Sequence, residues 1–316
     1  MENALKNKKL LIFGTGAVGG YYGGVLVKAG FDVTFVARGE NYNALKEKGL
    51  TLIRNGKKEI IPINVVEAIH ELPKDKKFDY ILICVKSKDT KMAAESIKQI
   101  VGENITVASF QNGIENEDII ASVIGKEHVI GALVFIATQM MGPGVVVYVG
   151  DNRAVIGELD GKITRRITDL QKILELTGTK CAVSNDMLSD MWTKLIWNTA
   201  FNSLSVLTGK TSDAIVEDKE LWKLAKSIMT EVKDVAVSLG FKIRLDFIDY
   251  YYERSKSLAG FKTSMLQDFE AGKPIELEEL VGVVIRKAKE KNIAVPTVET
   301  VYSQVKEKVQ YFSIRS

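Results

Sequence analysis

Residues 10–20 read Leu10-Leu11-Ile12-Phe13-Gly14-Thr15-Gly16-Ala17-Val18-Gly19-Gly20. A short apolar run, Leu10 to Phe13, breaks into glycines at 14, 16 and 19, and an apolar helical pattern from Ala17 to Ala29 follows at once. A second strand pattern starts after Gly30. This order of strand, glycine turn, helix and strand is that of a dinucleotide-binding unit, in which each glycine meets a different steric demand. Gly14 permits the tight turn, Gly16 lets the backbone approach a pyrophosphate, and Gly19 lets the helix pack closely on the strand. Thr15, Ala17 and Val18 complete a loop that opens a helix, where unpaired N–H groups and the helix dipole favour an anion. A merely structural turn would share the glycines, but not their placement between an apolar strand and an apolar helix.

In such units the tip of the second strand meets the adenosine ribose. An acid there accepts from the free 2′-hydroxyl of NAD, whereas arginine suits a 2′-phosphate. The second strand, Asp32 to Ala37, runs into Arg38-Gly39 with no acid at its tip. Arg38 can make a two-pronged contact to phosphate that lysine cannot reproduce. The expected cofactor is therefore NADP(H).

With 316 residues the chain exceeds the usual size of one core and suggests two domains. Hydrophobic residues make up 46% and charged ones 26%, as in ordinary globular proteins, and the net charge of +3 is dispersed, which argues against nucleic-acid binding. No apolar stretch has the ~18 residues of a membrane span, and the amino terminus has no secretory pattern, so a cytoplasmic protein is expected. The two cysteines, Cys84 and Cys181, lie in apolar strand-like runs without metal-ligand spacing; they read as buried free thiols, and no metal is expected.

Up to about residue 184, strand and helix patterns alternate, as a parallel sheet with crossover helices requires. Strands are expected at 50–54, 59–63, 80–85, 106–110, 129–138, 144–149, 154–156 and 180–183. Helices are expected near 41–48, 90–101, 115–124 and 161–176. From about Asn185 helical patterns alone remain. The expected architecture is α/β: an N-terminal Rossmann-type dinucleotide-binding domain (1–184) followed by an all-helical C-terminal domain (185–316). Lys86 and Asn112-Gly113 then fall just beyond the carboxyl ends of two strands, the edge at which open α/β sheets bind ligands. Apolar surface on the C-terminal helices suits internal packing or a homodimer.

The helical half holds a second informative stretch. Lys194, Asn198 and Asn202 are spaced by four residues and line one helix face. Around them stand Met191, Trp192, Leu195, Ile196, Trp197, Ala200, Phe201 and Leu204, too apolar a company for a surface helix. An unpaired buried amide costs on the order of 1–3 kcal/mol, so this row needs partners: a network within the protein, water or a ligand. Only two histidines exist, His70 and His128, and neither falls in a cofactor-facing motif. Lys194 is therefore the better proton donor, because partial burial lowers a lysine pKa toward neutrality. Glu276, after Gly272-Lys273-Pro274, opens a further helical pattern; alone it reads as helix-dipole complementation.

Together these segments resemble the ketopantoate reductase (2-dehydropantoate 2-reductase) family, within the 6-phosphogluconate-dehydrogenase-like group. The resemblance spans nearly the whole chain. It rests on Gly14-Thr15-Gly16-Ala17-Val18-Gly19, Arg38, Val85-Lys86, Gln111-Asn112-Gly113, the helix Met191 to Asn202, Thr263 to Asp268 with Glu276, and Ile293 to Thr297. It implies that Lys194 is the general acid and that Glu276 bonds the substrate hydroxyl. Asn198, Asn202 and Ser264 would orient the substrate, while Lys86 and Asn112 would face the nicotinamide and substrate. The implied reaction is reduction of 2-dehydropantoate by NADPH to pantoate, for pantothenate and coenzyme A synthesis. Paralogous reductases of other 2-keto or 3-hydroxy acids share these motifs, and a catalytically silent NADP-binding sensor would share the glycine loop. A methylene in a pocket is worth only ~1–3 kcal/mol, so the motifs do not set the choice among keto acids.

Overall fold

The computed structural model describes residues 2–315, with side chains described for 4–312. The chain divides between Met187 and Leu188 into two compact units.

In the first unit, helix α1 (Glu2–Lys6) leads into β1 (Lys9–Phe13), α2 (Ala17–Lys28), β2 (Asp32–Val36) and α3 (Gly39–Lys48). The hairpin β3 (Leu50–Arg54) and β4 (Lys57–Ile61) is followed by β5 (Asn64–Val66), β6 (Tyr80–Ile83), α4 (Thr90–Ile97), β7 (Thr106–Ser109) and α5 (Asn116–Ile124). The unit closes with β8 (Val129–Gly142), β9 (Val145–Gly157), α6 (Arg165–Glu175) and β10 (Lys180–Val183).

The sheet order is β4-β3-β9-β8-β7-β6-β1-β2-β5, with β10 beside β9. From β8 to β5 every pairing is parallel, and the order reverses direction around β1, which gives the doubly wound dinucleotide-binding arrangement. Strands buried on both faces read as continuous apolar runs, as Leu10 to Phe13 and Tyr80 to Ile83 do. Their period-2 alternation splits the core in two. Leu10, Ile12, Tyr80 and Leu82 face Tyr21, Tyr22 and Leu26 of α2 and Leu170 and Ile173 of α6. Leu11, Phe13, Ile81 and Ile83 face Ala93, Ala94 and Ile97 of α4 and Ile120 of α5.

Three local expectations needed correction. Residues 144–149 and 154–156 belong to one strand, β9, paired antiparallel with β8 along its length. Asp151 is the extra residue in a bulge opposite Ile136 and Ala137; at φ +48 it absorbs the irregularity without ending the ladder. The strand placed over 59–63 ends at Ile61, since Pro62 has no N–H to continue a ladder, and β5 then pairs with β2 instead. The helix placed over 161–176 starts at Arg165, where the Thr164 hydroxyl caps it by accepting from Ile167 N–H. Helix α1 gave no signal long enough to read.

The second unit is helical throughout. It contains α7 (Met187–Thr208, entering from the first unit), α8 (Ser212–Glu217), α9 (Lys219–Ser238), α10 (Phe247–Lys256), α11 (Ser264–Glu270), a π-helical turn (Glu278–Gly282), α12 (Val283–Glu290) and α13 (Pro296–Arg315). No described helix is long and apolar enough to cross a membrane.

Candidate active site

In the first unit the glycine turn meets the steric demands read from its spacing. Gly14 takes φ +100, and a Cβ there would lie 2.6 Å from a methyl of Val85. A Cβ on Gly19 would stand 2.1 Å from the Gly14 carbonyl oxygen, so any side chain would push α2 off β1. At Gly16, the N-cap of α2, a Cβ would meet nothing within 4 Å. The first and third glycines are thus required by the protein's own packing. The second borders open space where a helix amino terminus begins without a side-chain cap. That is a cradle into which a pyrophosphate fits.

The loop is tied down from behind. Thr15 Oγ1 donates to Val36 O at 3.0 Å, and Asn41 Nδ2 donates to Thr15 O at 2.7 Å. Because β1, β2, β6 and β7 run parallel, their carboxyl ends share one edge. The glycine turn, Arg38, Lys86 and Asn112 all follow those ends. Arg38 is exposed at the start of α3, its guanidinium against Met92 Sδ. Lys86 is exposed, and Asn112 half-buried. The backbone carbonyl of Asn112 accepts from Ser87 Oγ at 2.6 Å and Asn116 Nδ2 at 2.7 Å.

In the second unit α7 is largely buried. Met191, Trp192, Leu195, Ile196, Ala200, Phe201 and Leu204 are all buried, Trp197 stacks on Phe201 at 4.9 Å, and Trp192 on Phe241 at 5.7 Å. Within this apolar setting Asn198 and Asn202 are 5% and 2% exposed, and Glu276 is 8% exposed. Burial pushes the Lys194 ammonium down to about 8, while the nearby Glu276 carboxylate pulls the other way. Glu276 precedes the π-turn, and its carbonyl accepts from Leu280 N–H at 3.2 Å. Its place is therefore that of a helix cap, yet its side chain is buried near a lysine rather than solvated.

Asn202 has a structural duty as well. Its Oδ1 accepts from Met265 N–H at 3.2 Å, which fixes the start of α11 and places Ser264, an exposed residue, at the first position of that helix. Thr263 caps α11 and lies 2.6 Å, hydroxyl to hydroxyl, from Ser205 of α7. Sequence reasoning missed Thr199, which is fully buried. Its hydroxyl reaches Leu195 O at 2.9 Å and Leu280 O at 2.8 Å, linking α7 to the π-turn behind Glu276. A lone threonine inside an apolar helix carries no sequence signal of such a contact.

Residues 10–161 match the family model described as ketopantoate reductase PanE/ApbA, and residues 186–309 match its C-terminal model. The chain belongs to the ketopantoate reductase family. A 2-dehydropantoate 2-reductase of Mesorhizobium japonicum is 31% identical, over 94% of this chain and 97% of that protein. The crystal structure of a PanE/ApbA family ketopantoate reductase from Ralstonia eutropha superposes with a TM-score of 0.86 at 30% identity, covering 96% of this chain and 99% of that one. A D-mandelate dehydrogenase solved with NADH and anilino(oxo)acetate has a TM-score of 0.90 at 23% identity, over 96% and 99% of the two chains, a likeness of fold alone. The ketopantoate reductase family comprises oxidoreductases acting on CH–OH groups, and this chain carries both of its domains.

Proposed function

We propose that this protein reduces 2-dehydropantoate to pantoate with NADPH, the step that supplies pantoate for pantothenate and coenzyme A. The observation that carries the reading is Lys194: a lysine held near neutrality by burial, beside Glu276, on the same helix face as Asn198 and Asn202. Curated relatives named 2-dehydropantoate 2-reductase, matched over nearly their full length, support the substrate. The open cradle at Gly16 supports a dinucleotide, and Arg38, with no acid at the end of β2, supports its 2′-phosphate form.

When bound, NADPH supplies the hydride that the 2-keto carbon receives. The α2 amino terminus, with Gly14, Thr15, Gly16, Ala17, Val18 and Gly19, would hold its pyrophosphate, and Arg38 would pair with the 2′-phosphate. Lys86 and Asn112 would face the nicotinamide end. Lys194, protonated at neutral pH, gives its proton to the carbonyl oxygen as negative charge develops there. Glu276 accepts a hydrogen bond from the substrate hydroxyl. Asn198, Ser264 and the Asn202 amide nitrogen, whose oxygen already serves Met265, orient the carboxylate and hydroxyl. An aspartate or glutamate acid would be largely ionised at neutral pH; a lysine with its pKa near 8 remains available as a donor.

The test is NADPH oxidation, followed spectrophotometrically, with 2-dehydropantoate and a panel of other 2-keto acids compared by kcat/KM. Highest kcat/KM on 2-dehydropantoate supports the assignment; a better substrate elsewhere in the panel replaces it.

A further inference from the structure

Behind the Asn112–Gly113 turn lies a set of polar side chains sealed from solvent. Thr90 and Ser109 are 0% exposed, Asn116 3%, Ser87 5% and Gln111 6%. Gln111 Nε2 donates one hydrogen to Val85 O at 3.0 Å and the other to Thr90 Oγ1 at 2.8 Å. Its Oε1 accepts from Ser109 Oγ at 3.0 Å, so the orientation of the amide is fixed by its surroundings. The Thr90 hydroxyl faces two acceptors, Ser87 O at 2.7 Å and Asn116 Oδ1 at 2.8 Å, and its single proton serves one at a time. Asn116 Nδ2 and Ser87 Oγ both end on the Asn112 carbonyl. Four side chains, Ser87, Thr90, Gln111 and Asn116, thus join the segment after β6 to the segment after β7, and the two segments carry Lys86 and Asn112.

An Asn–Gly peptide flips easily, because glycine accepts either sign of φ; Gly113 stands at φ +105. Two buried donors on the Asn112 carbonyl oppose that flip, since rotating the peptide would strand both. We propose that Thr90, Gln111 and Asn116 form a latch that locks the Asn112–Gly113 peptide and holds Asn112 and Lys86 in register for hydride transfer. This positioning role rests on the reductase reading above. A connection needed only to join β7 to α5 would require no polar link to the segment after β6. Sub-ångström placement of reacting groups, by contrast, governs rate steeply.

The sequence offers a direct probe. It contains two Asn–Gly pairs, Asn55–Gly56 and Asn112–Gly113. Protein labelled with ¹³C-carbonyl asparagine and ¹⁵N-glycine therefore gives two carbonyl-filtered amide peaks. That of Gly56, in the β3–β4 turn, reports on folding. In T90V the Gly113 peak is expected to shift and broaden or double while the Gly56 peak stays, and T90S is expected to restore it. The same T90V protein should lose about 10–100-fold in kcat while its NADPH affinity, read by cofactor fluorescence, stays within about threefold, with T90S recovering most of the rate. S87A, which removes a donor from the Asn112 carbonyl, should move the same peak and covers the case in which T90V does not fold. A Gly113 peak unmoved in both variants, or an unchanged kcat beside a moved peak, overturns the latch. If the parent protein reduces no 2-keto acid, the reductase reading falls and the latch's role in hydride transfer falls with it.

Discussion

Burial holds the Lys194 ammonium near a pKa of about 8, and the Glu276 carboxylate opposes that fall. The pair sits in an apolar helical setting where each charge would be costly alone. Lys194 must be protonated to act as an acid, so reduction should be fastest below pH 8 and lose rate as pH rises through that value. In E276Q the opposing charge is gone, and the alkaline limb should move to lower pH. A limb that stays in place in E276Q would show that another group controls it.

The same shift affects stability. A lysine whose folded pKa lies below its unfolded value binds fewer protons when folded between about pH 8 and 10.5, so the folded state gains as pH rises through that window. K194M removes the buried ammonium. It also leaves Glu276 without its partner, so the linkage sets the trend and not the offset: the Tm of K194M relative to the parent should fall as pH rises from about 8 to 10.5. A Tm difference that stays constant across that window would mean that the Lys194 pKa is not lowered in the folded protein.

Gly16 and Gly19 should separate binding from packing. A methyl on Gly16 meets open space, whereas one on Gly19 collides with the Gly14 carbonyl. G16A should fold with a Tm near that of the parent but bind NADPH at least about tenfold more weakly, a loss of ~1.4 kcal/mol or more. G19A should lower the Tm itself. Undiminished NADPH affinity in G16A would remove the pyrophosphate from that cradle.

Arg38 should set the choice of dinucleotide. R38A is expected to lose NADPH affinity by one to two orders of magnitude, in line with ~1.5–3 kcal/mol for hydrogen bonds to charged groups, while NADH binding changes little. Titration of both cofactors by fluorescence reads the ratio. A ratio unchanged by the substitution assigns the 2′-phosphate to other residues.

Thr199 ties α7 to the π-turn through Leu280 O, both atoms within the core of the helical unit. T199V keeps the shape and removes the donor, at a cost of about 1–3 kcal/mol in urea denaturation. If the link also aims Glu276, the alkaline limb should shift as in E276Q, though less.

The glycine turn was legible because its steric demands are local: Gly14, Gly16 and Gly19 act within six residues of one another. The row on α7 was legible because helix geometry alone aligns residues four apart. The Gln111–Thr90–Asn116 network was not, since its contacts span 21 and 26 residues and join two loops, and no periodicity marks such a meeting. Glu276 looked like an ordinary helix-start acid because its burial depends on packing that local pattern does not contain. The glycine-and-aspartate break at 150–151 in β9 imitated a turn for a related reason: only the partner strand reveals a bulge.

The most direct measurement is NADPH oxidation driven by 2-dehydropantoate in the parent protein and in K194A, with NADPH affinity measured in both. The assignment predicts turnover in the parent, a fall of about 10²–10⁴-fold in kcat for K194A, and unchanged cofactor binding. Parent-like kcat in K194A, or no oxidation of NADPH by the parent with 2-dehydropantoate, would contradict it.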